Sequence, residues 1–177
     1  MTQDIMQKFA LKGKASLPAP LKMEECAPTP AYFDFVFQRV GGPWKWTERP
    51  KYSQDKTELY ERLRDGKTRM FNFKKGEKLI GYCLATPSEE DVALQYKNPI
   101  EIENFGFFLE YTGQGYGNHF LQSVFNELLK EFDTVYLSTR STNHAKVVPF
   151  YQKNGMVLVK SERKLEDVNQ TALHDVA

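Results

Sequence analysis

Three glycines at alternate positions, Gly113-Gln114-Gly115-Tyr116-Gly117, stand immediately before a run whose apolar residues recur at helical spacing. The run covers residues 117–132 and sets Phe120, Leu121, Val124, Phe125, Leu128, Leu129 and Phe132 on one stripe, while strand-like residues 100–109 precede the glycines. A strand-turn-helix unit follows from this pattern. Glycine has no Cβ, so the backbone N–H groups of the turn stay unobstructed and a ligand can approach closely. The helix N-terminus adds about half a positive charge and several N–H groups that have no intrahelical partner. A phosphate or pyrophosphate fits there without help from Lys or Arg. A dinucleotide fingerprint would need G-x-G-x-x-G after the first strand, and a P-loop would need Gly-Lys-Ser/Thr; this loop has neither. A tight turn that binds nothing is the alternative reading.

The rest of the chain supplies elements around that unit. Residues 1–20 mix Lys, Gly, Ala and Pro with little periodicity and are expected to form an N-terminal arm ending at Pro18-Ala19-Pro20. Leu21–Cys26 reads as a first strand. Thr29-Pro30 then offers an N-cap and a first-turn proline for a helix with Phe33, Val36, Phe37 and Val40 on one face. Gly41-Gly42-Pro43 ends that helix before Trp44-Lys45-Trp46, and Ser53 is placed to cap a second helix carrying Leu59 and Leu63, closed by Gly66. Residues 68–74 and 79–86 read as strands joined through Lys75-Gly76-Glu77, and residues 87–99 as a polar loop. Downstream, residues 134–140 read as strand, 143–154 as helix and 155–161 as strand. The order is β-α-α-β-β-β-α-β-α-β, an α/β (α+β) pattern. Residues 21–165 are read as one domain, followed by a C-terminal tail over residues 166–177.

Composition narrows the function classes. At 177 residues and 41% hydrophobic, the chain can bury one sizeable core. Lys+Arg 24 against Asp+Glu 23 gives a net charge of +1, so no whole-protein field draws nucleic acid or an anionic membrane, and neither partner is expected. Cys26 and Cys83 form no CxxC pair, and His119, His144 and His174 lack metal-ligand spacing, so the expectation is no metal, reduced thiols and a cytoplasmic location. No apolar run approaches the roughly 20 residues that a bilayer-spanning helix needs, and residues 1–10 lack the apolar core of a secretory signal.

Residues 102–159 resemble the GNAT superfamily of N-acetyltransferases, whose signature loop, Gln/Arg-x-x-Gly-x-Gly/Ala, lies between a strand and a helix. Thr112-Gly113-Gln114-Gly115-Tyr116-Gly117 supplies that loop here, with Thr112 standing where the family usually has Gln or Arg. The stretch Asn143-His144-Ala145-Lys146-Val147-Val148-Pro149-Phe150-Tyr151-Gln152-Lys153-Asn154-Gly155-Met156 is similar to the family's second cofactor motif, with Met156 in place of the commoner Phe. Gly41-Gly42-Pro43-Trp44-Lys45-Trp46 and Asn104-Phe105-Gly106-Phe107 resemble a bacterial subgroup with Pro-Trp-x-Trp and Phe-Gly-Leu stretches. The resemblance spans roughly residues 21–161 and implies a mixed, mostly antiparallel central sheet flanked by helices, with acetyl-CoA as co-substrate.

It also implies a chemistry. An alkyl amine with a pKa near 10.4 is only about one part in a thousand neutral at physiological pH, a deficit of roughly 4 kcal/mol that a general base offsets. Glu101 and Glu103 fall on the same side of their strand, and Glu101, which stands where histone-acetylating members place a catalytic glutamate, is the base expected first; ordered water, or a plain solvent-facing pair, is the alternative. Tyr151 matches the tyrosine that protonates the departing thiolate. The backbone of Phe105, Phe107 and Leu109 is expected to meet the pantetheine arm, with Thr112, Gly113, Gln114, Gly115, Tyr116 and Gly117 at the pyrophosphate and Asn143 either contacting pantetheine or capping a helix. Trp44, Trp46 and His144 are candidate acceptor contacts. Pro149 requires its helix either to kink or to begin late. The function expected is transfer of an acetyl group to a primary amine by direct attack in a ternary complex. An acyl-CoA-binding regulator without turnover, or a binding module using the Trp44/Trp46 surface, are the other classes, and a homodimer is left open.

Overall fold

Residues 2–8, 17–49, 52, 55–87, 96–140 and 146–163 are described by a computed structural model. They build a seven-stranded sheet with four helices packed on its two faces. In chain order the strands are β1 (Thr2–Lys8), β2 (Leu21–Cys26), β3 (Arg69–Lys75), β4 (Lys78–Pro87), β5 (Pro99–Phe107), β6 (Thr134–Arg140) and β7 (Val157–Arg163). The helices are α1 (Pro30–Gly41), α2 (Thr57–Arg64), α3 (Tyr116–Leu128) and α4 (Val147–Lys153), with short 3₁₀ turns at Gly42–Trp44, Trp46–Glu48 and Leu109–Tyr111.

Local chemistry accounts for most of these boundaries. Thr29 caps α1, its Oγ1 accepting from Tyr32 N at 3.3 Å, and Pro30 occupies the first turn, where the missing N–H has no intrahelical partner. The N-cap of α2 is Lys56, which gives no side-chain cap, while Asp55 just before it accepts from both the backbone N and the hydroxyl of Thr57; the expected cap, Ser53, lies outside the described residues. Helix α4 begins at Val147 rather than at 143, so Pro149 is its third residue and sits among the N–H groups that lack partners anyway. That settles the proline without a kink.

The sheet order is β2-β3-β4-β5-β6-β1-β7. Every pairing is antiparallel except β5 with β6. The expected order from Leu21 onward is present, but the arm expected over residues 1–20 is not wholly an arm. Thr2–Lys8 is a strand inserted between β6 and β7, pairing with both. Its place is decided by two distant strand edges, a signal that local periodicity does not carry.

One apolar cluster lies between the sheet and α3/α4, including Phe73, Ile100, Phe120, Val124 and Tyr151; the other joins α1 and α2 to the opposite face through Phe33, Phe37, Leu63, Tyr82 and Leu84. Strand β4 is covered on both sides, which explains its unbroken buried run from Ile80 through Thr86. The parallel pair β5/β6 holds for only three rungs, Pro99 with Thr134, Ile100 with Val135 and Glu101 with Tyr136. Beyond them the two strands no longer pair with each other and become the walls of a cleft.

Candidate functional site

The cleft has a volume of about 520 Å³ and is lined by Ile102 through Phe107 on one side and by Leu137, Ser138 and Thr139 on the other. The glycine loop closes one end, with Thr112, Gly113, Gly115, Tyr116 and Gly117 at its edge. Gly113 and Gly115 have φ of +71° and +83°, and a Cβ at either would meet nothing within 4 Å. The backbone is therefore held in a left-handed conformation with open space before it, and Gly115, the N-cap of α3, provides no side-chain cap. Open backbone at the start of a helix suits an anionic group such as a diphosphate. Among the loop's side chains, Thr112 Oγ1 bonds Leu109 O at 2.8 Å and Gln114 Nε2 bonds Glu110 O at 2.7 Å, so both are engaged with the preceding 3₁₀ turn.

Strand geometry decides which amides face the cleft. Successive N–H groups along a strand point to opposite edges, and Phe108 N donates to Ile80 O on the β4 side at 2.8 Å, so the N–H groups of Phe107 and Phe105 face the opening. Leu109 does not join them, contrary to expectation. It is 54% exposed, stands in the 3₁₀ turn after the strand has ended, and its carbonyl is taken by Thr112.

A β-bulge arranges the carboxylates. Leu84 pairs with Asn104 but Ala85 with Ile102, which leaves Glu103 as an extra residue on β5. Two consecutive residues thereby reach the α1/α2 side: Glu103 accepts from Arg62 at 2.7 Å, and Asn104 Nδ2 donates to Tyr52 OH at 3.1 Å. The Glu103 side chain is only 3% exposed and lines the cleft. Burial works against the charge of Arg62, but the Glu103 carboxylate more than offsets it and holds the guanidinium above its ordinary value. Glu101 is half-buried one rung further back, opposite Thr86 and Tyr136, and is not among the cleft-lining residues.

Tyr151 reaches the cleft from α4 and is 8% exposed. Burial, and secondarily the neighbouring Cys83, pushes its phenol well above the usual tyrosine range, so it remains a proton donor throughout the neutral region. Phe150 stacks on Phe105 at 6.1 Å, and Asn154 ties the end of α4 to Asn118 at 2.8 Å and to Gln122 at 3.1 Å, fixing α4 against α3.

The two tryptophans separate. Trp46 packs against Phe37 at 6.0 Å, so close to α1 that a Cβ on Gly41 would lie 2.5 Å from its ring, and Arg49 stands 5.5 Å over it. Trp44 is 41% exposed at the rim. Both line the cleft. Asn143 and His144 lie outside the described residues. Arg49, Asn104, Asn118 and Lys146 also line the cleft and were not named as site residues from sequence; Asn104 and Lys146 fall within the stretches that carry the family resemblance, Asn118 directly follows the glycine loop, and Arg49 has no such signal beside it. A second groove of about 890 Å³, at the other end of the sheet, is crossed by Arg69, which pairs with Glu25 and Glu131. Among the described residues no group of His, Cys, Asp and Glu is arranged to hold a metal ion, and no helix is long and apolar enough to cross a membrane.

Solved structures share this architecture at low sequence identity. A GCN5-related N-acetyltransferase from Sphaerobacter thermophilus superposes with a TM-score of 0.60 at 14% identity, over 90% of this chain and 49% of that one, so the chain spans about half the length of that protein. A GNAT family acetyltransferase from Elizabethkingia anophelis with acetyl-CoA bound gives 0.59 at 16% identity, over 86% of both chains. An aminoglycoside acetyltransferase from an uncultured soil metagenomic sample, in complex with sisomicin, gives 0.56 at 15% identity, over 82% of this chain and 96% of that one. No curated protein sequence matches. The profile of the Acetyltransferase (GNAT) family, by contrast, matches residues 34–156, from α1 through the glycine loop to the end of α4, and by that match the chain belongs to the GNAT family.

Proposed function

We propose that this chain binds acetyl-CoA at the glycine loop and transfers its acetyl group to a primary amine by direct attack in a ternary complex. The observation that carries the reading is the composition of one cleft: loop amides at its end, the buried Tyr151 phenol in its wall and the Glu103 carboxylate across from it. Acetyl-CoA supplies the activated acetyl group as a thioester. The amides of Phe107 and Phe105 orient that arm and polarise its carbonyl. Glu103, directly or through water, accepts the proton that the amine nitrogen sheds as its lone pair attacks the carbonyl carbon. Tyr151 gives its proton to the sulfur as the C–S bond breaks. Arg62 holds Glu103 in place through their ion pair, and Glu101 stands behind it at the last paired rung of β5 with β6. Trp44 offers an aromatic wall for the acceptor.

Release of coenzyme A thiol from acetyl-CoA with a panel of small amines, amino acids, peptide lysines and aminoglycosides tests this. Turnover with one acceptor class, lost in Tyr151→Phe and Glu103→Gln and reduced less in Glu101→Gln, supports the enzyme. Acetyl-CoA binding with no thiol release for any acceptor would favour a binding protein without turnover.

A further inference from the structure

The glycine loop carries no charged side chain of its own, and Thr112 and Gln114 are turned back onto the 3₁₀ turn. A cation from elsewhere in the sequence is bonded to a residue of this loop. Antiparallel pairing of β4 with β5 sets Gly81 opposite Phe107, and β3 with β4 sets Lys75 opposite Lys78, so the β3/β4 hairpin rises at the same end of the sheet as the loop. From its tip Lys75 Nζ donates to Tyr116 OH at 2.8 Å and stands 5.4 Å from the Tyr116 ring centre. Tyr116 is the first residue of α3.

This placement runs against the ordinary electrostatics of helices. An N-terminus favours anions, yet the first turn of α3 holds no acidic residue, its N-cap provides no side-chain acceptor, and an ammonium is brought beside it. The neighbouring lysines are neutralised, Lys22 by Glu77 and Lys74 by Glu24 at 2.6 Å, whereas no carboxylate is paired with Lys75 among the described residues. A helix N-terminus and an ammonium held by the helix's first residue are both positive, and an anion bound beside them relieves the repulsion. The tyrosine hydroxyl fixes the ammonium there without cancelling its charge.

We infer that Lys75 is a diphosphate-binding residue, reaching the glycine loop across the sheet and held in place by Tyr116, where it supplies the cation that Thr112 cannot. The inference rests on the reading of the cleft as an acetyl-CoA site. It assigns the contact to the diphosphate rather than to the 3′-phosphate of the coenzyme, because Tyr116 belongs to the loop helix itself.

Calorimetric titration of wild type, Lys75→Met, Lys75→Arg and Tyr116→Phe with acetyl-CoA and with 3′-dephospho-acetyl-CoA tests it. Lys75→Met is expected to weaken both ligands by about tenfold, the scale of one charge-assisted contact, with the gap to wild type closing as salt rises. Lys75→Arg should restore much of the affinity, and Tyr116→Phe should lose a smaller part of it. Unchanged affinity in Lys75→Met, or a loss confined to the ligand that carries the 3′-phosphate, overturns the assignment while leaving the acetyl-CoA reading intact. Wild type that binds neither ligand overturns both.

Discussion

Tyr151 illustrates how one side chain acquires a role from its surroundings. Its hydroxyl belongs to a buried residue in the wall of the cleft, and burial keeps the proton on it. Tyr151→Phe is therefore expected to lower kcat about 10²-fold while leaving acetyl-CoA affinity unchanged, as steady-state kinetics beside calorimetry would show. The same physics reaches stability. Cys83, Tyr82 and Tyr151 are all raised by burial, so each stays neutral in the fold at a pH where the unfolded chain ionises. Their contribution is fully present below the ordinary thiol and phenol values, about 8.5 and about 10, and is lost as pH rises past them. Urea unfolding should accordingly give a lower midpoint at about pH 10 than at about pH 7. The tryptophans divide by packing: Trp46→Ala should cost about 3 kcal/mol of stability, whereas Trp44→Ala should change stability by less than about 0.5 kcal/mol and act on the acceptor KM. The family resemblance named both as candidates; only the packing of Trp46 onto Gly41 and Phe37 tells them apart.

The elements of the site make their own prediction through the bulge on β5. A regular strand would send Glu103 and Asn104 to opposite faces, and the extra residue brings both to α2 and Tyr52. Removing Arg62 leaves a nearly buried carboxylate without that ion pair. Arg62→Met should cost about 3 kcal/mol in chemical denaturation, and Glu103→Gln in the same chain should recover a large part of it. Helix signals were legible beforehand because they are local: Thr29-Pro30 at the start of α1, the stripe of α3 and the glycines before it all act within a few residues. The Arg62–Glu103 pair and the Lys75–Tyr116 bond each join residues 41 apart, and the bulge joins Leu84 to Asn104 across two strands; nothing in either segment names its partner. Leu109 was misread for a related reason: its apolar character continues the strand pattern, but the turn takes its carbonyl.

At the scale of the whole molecule, the sheet does two jobs. Its antiparallel half carries two cores, and the short parallel pairing of β5 with β6 opens the cleft where the loop, α4 and the bulge converge. Strand β1 closes the far side by bridging β6 and β7, so deleting residues 1–8 is expected to strip both of their shared partner and to lower solubility and the thermal midpoint together. Acetyl transfer in this cleft requires the glycine loop to be the seat of the coenzyme. Titration of acetyl-CoA into wild type and Gly115→Val measures that directly. One molecule bound per chain, with affinity lost in a variant that still unfolds cooperatively, is the predicted result; no binding to wild type, or equal binding to both, would contradict it.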